Sequence, residues 1–144
     1  MLLKIYAATT REQRDACYRL RHEVFVEEQG VPVELEIDEH DEMDAIHFLG
    51  EVNGTSAAAA RIVVKQETAK IGRLVVSKPH RGGGHGVAMM RFVLDHVRDE
   101  GLATEVALDA QIQATGFYEA LGFAIEGEEF MDAGIPHVRM VRTV

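Results

Sequence analysis

"IGRLVVSKPHRGGGHGVAMMRFVLDHV", residues 71–97, runs from an apolar stretch through four glycines in six positions into helical periodicity. The run 69–76 reads as a strand that Pro79 ends. Val87, Met90, Val93, Leu94 and Val97 share one helical face, while Arg91, Asp95, Arg98 and Asp99 lie off it, so 84–100 reads as a helix that Gly101 stops. Each glycine costs roughly 0.5–1 kcal/mol relative to alanine. A chain that accepts this cost between a strand and a helix is predicted to bring its backbone close to something. Consecutive N–H groups at a helix start, aided by the helix dipole, suit a phosphate.

Outward from this stretch the chain reads as one compact domain over 1–144, of order β-α-β-β-β-α-β-α-β-β. Residues 2–8 form a short strand. Thr10 and Gln13 have capping-box spacing, and Cys17, Leu20 and Val24 recur at helical intervals, which predicts a helix over 11–26. Segment 27–44, which contains Gly30-Val31-Pro32, reads as loop with room for one helical turn. Asn53-Gly54 joins strands 45–52 and 55–64 as a hairpin, although "SAAAAR" alone would favour a helix. A strand over 104–110, a helix over 112–121 and two closing strands, 123–130 and 136–144, complete the order. The central β-α-β needs a crossover, so the sheet is mixed.

Composition sets limits on the function. The 144 residues are 47% apolar and 27% charged, as in an ordinary globular protein. No secretory leader and no apolar run of membrane-spanning length is present, which predicts a cytoplasmic protein with no membrane partner. A net charge of −9 argues against a nucleic-acid partner. The single cysteine, Cys17, forms no internal disulfide and no metal signature, so no metal is expected. From His22 to Ala60 there are 11 of the 24 acids and no Lys or Arg.

Two phosphate-loop patterns fail on the glycines. A Walker loop needs Lys-Ser/Thr where Gly86-Val87 stands, and the dinucleotide pattern begun at Gly82 meets Val87 at its last position. The pattern [QR]-x-x-G-x-[GA] is matched by Arg81, Gly84 and Gly86. Further on, "LDAQIQATGFYEALGF" (108–123) gives a strand, a polar turn and Phe-Tyr-Glu-x-Leu-Gly-Phe. With both motifs in order, the sequence resembles the GNAT superfamily of N-acetyltransferases. "RLRHEVFVEEQGVP" and "GIPHVRM" are similar to a subgroup of small members whose substrates are largely unassigned. The resemblance implies an α/β GNAT fold, a mixed and largely antiparallel sheet of about seven strands flanked by helices.

It also implies acetyl-CoA as cosubstrate, its pyrophosphate held by Arg81, Gly82, Gly83, Gly84, His85, Gly86 and Val87. The strand before the loop, through the backbone of Leu74, Val75 and Val76, would meet the pantetheine and the thioester carbonyl in an oxyanion-type role. Gln111 stands where the family often has Asn. Tyr118 matches the tyrosine that protonates the departing thiolate, against the alternative of a packing aromatic beside Phe117. Glu27, Glu28, His47 and His137 are candidates for the general base, with Glu28 put forward as the catalytic one; for His47 a core role is the competing reading. The implied reaction is attack of a small-molecule primary amine on the thioester, by a monomer or a homodimer. Alternatives are transfer of a longer acyl group, a non-catalytic acyl-CoA sensing module, or a structural domain with a vestigial loop.

In this fold the segment after the first helix commonly borders the acceptor. Segment 27–44 carries nine acids without a Lys or Arg of its own. Most are read as a solvated face; if some line the mouth of the site, their field would select a cationic amine.

Overall fold

The computed structural model describes residues 3–144. β1 (Leu3–Ala7) leads into α1 (Arg11–Arg21), which starts with a complete capping box: the Thr10 hydroxyl accepts from the Gln13 amide, and the Gln13 side chain accepts from the Thr10 amide. The chain then widens into a π-wound turn, His22–Glu28, so the helix expected to reach residue 26 loses its α geometry at Arg21. The acidic segment holds two single turns, α2 (Val33–Glu36) and α3 (His40–Met43), where one was expected.

β2 (Ile46–Val52) and β3 (Thr55–Lys65) form the hairpin, and β4 (Thr68–Val76) follows. Ala57, Ala58, Ala59 and Ala60 in β3 are all at most 2% exposed. Ala58 and Ala60 pack in the cluster that holds the glycine-loop helix, and Ala59 packs beneath α1. Small side chains let helices close on both faces of the same strand, which outweighs alanine's helical preference.

α4 (His85–Asp99) carries the chain to β5 (Glu105–Gln111), and a 3-10 turn at Ile112–Ala114 precedes the short α5 (Thr115–Glu119). β6 (Ala124–Ile125), β7 (Phe130–Asp132) and β8 (Ile135–Thr143) close the sheet. The expected single strand 123–130 is thus interrupted, because Gly127 at φ 89° turns the chain away from its ladder. The strand order is β1-β2-β3-β4-β5-β8-β6, with β7 also on β8. Every pairing is antiparallel except β4–β5, which α4 connects as a crossover. This is the mixed, mostly antiparallel α/β sheet of the GNAT type. No helix among the described residues is long and apolar enough to cross a membrane.

Two irregularities in β4 create the site. Its parallel pairing with β5 ends at Ile71–Leu108, yet β4 continues to Val76 and β5 to Gln111. The two strands therefore part, and residues 72–76 have no partner on that side. On the other side Arg61 pairs with Gly72 and Ala59 with Val75, so Arg73 and Leu74 together oppose Ala60. This is a β-bulge, and Arg73 sits in the left-handed region at φ 52°.

Candidate active site

The glycine loop delivers a row of backbone donors. Among the described residues, the amides of Gly82 through Val87 have no protein acceptor; the first bond of α4 is from the Ala88 amide to the Gly84 carbonyl, 3.0 Å. No side chain caps the helix. Gly82 and Gly84 lie at φ 85° and 79°, with open space where a Cβ would stand, so nothing of the protein fills the concavity they make. Gly86 has a different reason to lack a side chain. A Cβ there would lie 3.4 Å from Phe117 and 3.8 Å from Val76, which shows how closely α4 packs on both motifs. The loop therefore fits a phosphorylated group, held by N–H donors and the α4 dipole.

Arg81 is placed otherwise than the motif suggests. Its guanidinium forms a two-pronged ion pair with Glu28, both contacts at 2.9 Å, and Nε donates to the Val76 carbonyl. Glu28 is accordingly held below the usual carboxylate range by Arg81. This geometry gives Glu28, sought as the base, a different task. It ties the end of the π-wound turn to the end of β4, and it does not line the cavity described next.

Beside the split strands lies a cavity of about 850 Å³, on the face of the sheet that α1 covers only in part. Its floor includes Arg61 and Val63 of β3, Lys70 and Gly72 of β4, and Asp109 and His137 of β5 and β8. Tyr118 and Leu74 stand at the end near the glycine loop. The Tyr118 hydroxyl has no hydrogen-bond partner among the described residues, and burial raises its pKa to about 12, so it keeps its proton at neutral pH. Its ring meets Phe117 and Phe123 edge-on. Packing and an available hydroxyl coexist in one residue.

The two histidines separate. His47 is 2% exposed and lies outside the cavity: Nε2 donates to the Asp41 carbonyl at 3.0 Å, and burial lowers its pKa, so it is a neutral core residue against Tyr18. His137 lines the cavity, stacked on Phe130. Its Nδ1 lies 2.7 Å from the Ile135 carbonyl, which only accepts, so Nδ1 carries the proton and Nε2 presents a lone pair. Glu27 is exposed and pairs with His22. Gln111 lines the cavity, and its amide donates to Gln29 at 3.0 Å. The side chains of Leu74 and Val76 pack against the main core, and Val75 is buried in the cluster beneath α1.

The far wall of the cavity corrects the expectation of an uncompensated acidic rim. Arg21, 1% exposed, donates to Glu36 at 2.6 Å and to both Asp41 oxygens at 2.7 and 2.9 Å. Arg61 from β3 grips Asp38 with two bonds, 2.6 and 2.7 Å, and reaches Asp41 at 2.7 Å. These arginines hold Asp41 and Asp38 below the ordinary carboxylate range. Arg73 of the bulge donates to the carbonyls of Glu36 and Leu35. The sequence hides all three cations because each lies 15–38 residues from its partners. A signal for the bulge at Arg73 was present in Gly72, because a glycine inside a strand often marks one.

A donor nest that opens onto a parted strand pair, with a polar cavity beyond, is the architecture of acyl-CoA-dependent acyltransferases. A family model described as the acetyltransferase (GNAT) domain matches residues 8–144, and the chain belongs to that family. An uncharacterized N-acetyltransferase of Bacillus subtilis, YjcF, is 38% identical over 141 residues, covering 97% of this chain and 99% of that one. An acyl-CoA N-acyltransferase from Pseudomonas aeruginosa superposes with a TM-score of 0.89 at 31% identity, covering 98% and 99% of the two chains. Escherichia coli ElaA superposes with a TM-score of 0.88 at 32% identity over the same shares. The protein is a GNAT-type acyltransferase that uses an acyl-CoA cosubstrate.

Proposed function

We propose that the protein transfers an acetyl group from acetyl-CoA to the nitrogen of a small primary amine. The observation that carries this reading is the run of six unpaired amides, Gly82 to Val87, opening beside the split of β4 from β5. The cosubstrate supplies an activated thioester carbonyl. The loop amides, with Arg81 at their edge, receive its phosphates, and the freed backbone of Leu74, Val75 and Val76 orients the acyl arm. His137 Nε2 accepts the proton that the amine loses, directly or through one water. The Tyr118 hydroxyl gives a proton to the departing sulfur. A thiol of pKa near 8.5 leaves readily, so this acid contributes modestly.

The purified protein should release free thiol from acetyl-CoA when given an amine from a panel, faster than from butyryl- or octanoyl-CoA. Saturable acetyl-CoA binding without thiol release from any amine would show a sensing module instead. A higher rate with the longer donors would move the assignment to another acyl group.

A further inference from the structure

Two neighbouring side chains at the end of the π-wound turn reach opposite arms of the strand split. Glu28 grips Arg81 with both carboxylate oxygens at 2.9 Å, and Arg81 Nε donates to the Val76 carbonyl at 2.9 Å. That carbonyl faces the split. The Ser77 amide donates to the Ala57 carbonyl of β3, so Val76, one residue earlier, turns its own N–H and C=O away from β3 and toward β5. Gln29 reaches the other arm. Its Oε1 accepts from Gln111 Nε2 at 3.0 Å, and Gln111 is the last residue of β5. The Gln111 amide is itself oriented, because its Oε1 accepts from Gln113 Nε2 at 2.6 Å.

β4 and β5 run parallel, so Val76 and Gln111 both lie at the open end of the split, and the link between Glu28 and Gln29 spans it. Ladder pairing stops at Ile71 and Leu108, so beyond them side-chain ties and packing set how far the strands part. Three of the five Arg81 N–H groups are spent on Glu28 and Val76, which fixes the guanidinium to the turn. These ties lie at the surface, where such contacts add little to global stability. Their effect is on geometry. A gap already held at the width its ligand needs binds it without the cost of ordering both strands.

We propose that Glu28 and Gln29 are positioning residues that act as one brace, holding the ends of β4 and β5 at the separation that receives the pantetheine arm of the acyl-CoA. This goes beyond the amine acylation proposed above. It rests only on an acyl-CoA donor whose arm lies along Leu74 to Val76, and it needs neither the acetyl group nor the acceptor. The brace acts on that arm and not on the phosphates, which the loop amides receive.

The test titrates coenzyme A into the full chain by calorimetry and measures its 3′-phosphorylated ADP portion, which lacks the arm, by displacement of coenzyme A. Gln29→Leu, Gln111→Leu and Glu28→Ala should each weaken coenzyme A at least about fivefold and leave the armless fragment no weaker. Their Tm should stay within about 2 °C of wild type. Gln29→Glu still offers Gln111 an acceptor and should bind coenzyme A within about twofold of wild type. Because either tie alone leaves the gap free, Glu28→Ala combined with Gln29→Leu should weaken coenzyme A little more than the larger single change. A merely structural turn would lower Tm and weaken both ligands alike, which overturns the proposal. Unchanged coenzyme A affinity in Gln29→Leu, a Gln29→Glu variant as weak as Gln29→Leu, or a double variant at the product of the single changes does the same. A wild type that binds coenzyme A no better than the fragment overturns the placement of the arm and the brace with it.

Discussion

Replacing Asp41 with Asn keeps the shape of the side chain and removes one charge from the centre of the buried ion cluster. In the native protein its Oδ1 accepts from Arg21 and Arg61, both at 2.7 Å, and its Oδ2 accepts from Arg21 and the Asp38 amide, both at 2.9 Å. The carboxylate is fully buried. An amide supplies one oxygen where there were two and aims an NH₂ at groups that are themselves donors. Removing one partner of a buried ion pair costs about 3–5 kcal/mol. The unfolding entropy of a domain this size, taken at about 2.1 cal/mol/K per residue, converts the lower figure into a loss on the order of 10 °C in Tm. Circular dichroism melts at pH 7 measure it, with Glu34→Gln and Glu39→Gln as exposed controls that should move stability by less than about 0.5 kcal/mol. The pH dependence has a definite sign. A carboxyl whose folded pKa is depressed stabilises the fold above its unfolded value near 3.9, and this is lost as pH falls toward the folded value. The gap between wild type and variant should therefore narrow below about pH 4. A Tm loss under about 3 °C, or a gap that is flat in pH, would refute the claim that these acids are structural.

Three further perturbations address the donor and the chemistry. Gly84→Asp places a carboxylate in the amide concavity at a left-handed position that aspartate tolerates, so the unliganded Tm should change little while acetyl-CoA affinity falls at least about tenfold. In wild type, acetyl-CoA at about 100 times its Kd should stabilise by roughly 2.7 kcal/mol, a shift that calorimetry should find cut to about half or less in this variant at the same concentration. Tyr118→Phe removes a hydroxyl with no protein partner, so stability should hold while kcat falls toward the lower end of the 10²–10⁴ range for a general acid; an unchanged kcat assigns the ring to packing alone. His137→Asn removes the Nε2 base and should lower kcat/KM at pH 7 by a similar factor, with the deficit shrinking at high pH, where the amine deprotonates unaided. A deficit that does not vary with pH would deny His137 that role.

The parts of the site legible in the sequence are those built by neighbours in the chain. Gly82 to Gly86 lie together, and their composition announces a loop that serves something outside the protein's own packing. The Phe117-Tyr118 motif is equally local, and the Thr10–Gln13 box marks the start of α1 to the residue. What the sequence conceals depends on pairings across it. Arg81 and Glu28 are 53 positions apart, so their ion pair has no local signature, and neither does the choice of His137 over His47. Both histidines sit on the same face of the sheet, at Gln111↔His137 and His47↔Arg61, but Tyr18 of α1 and the Asp41 carbonyl of α3 cover His47, while His137 opens on the cavity. The π-wound turn at His22–Glu28 shares the apolar spacing of a helix closely enough to read as one.

The same reasoning explains why formal charge along the chain misreads this wall of the cavity. A run of nine acids cannot all remain solvated if the segment that carries them is to pack on a sheet. Glu36 and Asp41 are buried, and burial demands counterions. Those counterions come from α1, β3 and β4 because nothing nearer in sequence is basic. Once Arg21, Arg61 and Arg73 have paired with Glu36, Asp38 and Asp41, the acids left over, Glu34, Glu39 and Glu42 among them, face water, where their fields fade within about 8 Å at physiological salt. Three guanidiniums, of Arg21, Arg61 and Arg73, then stand against the three carboxylates of Glu36, Asp38 and Asp41, and their charges balance within this wall.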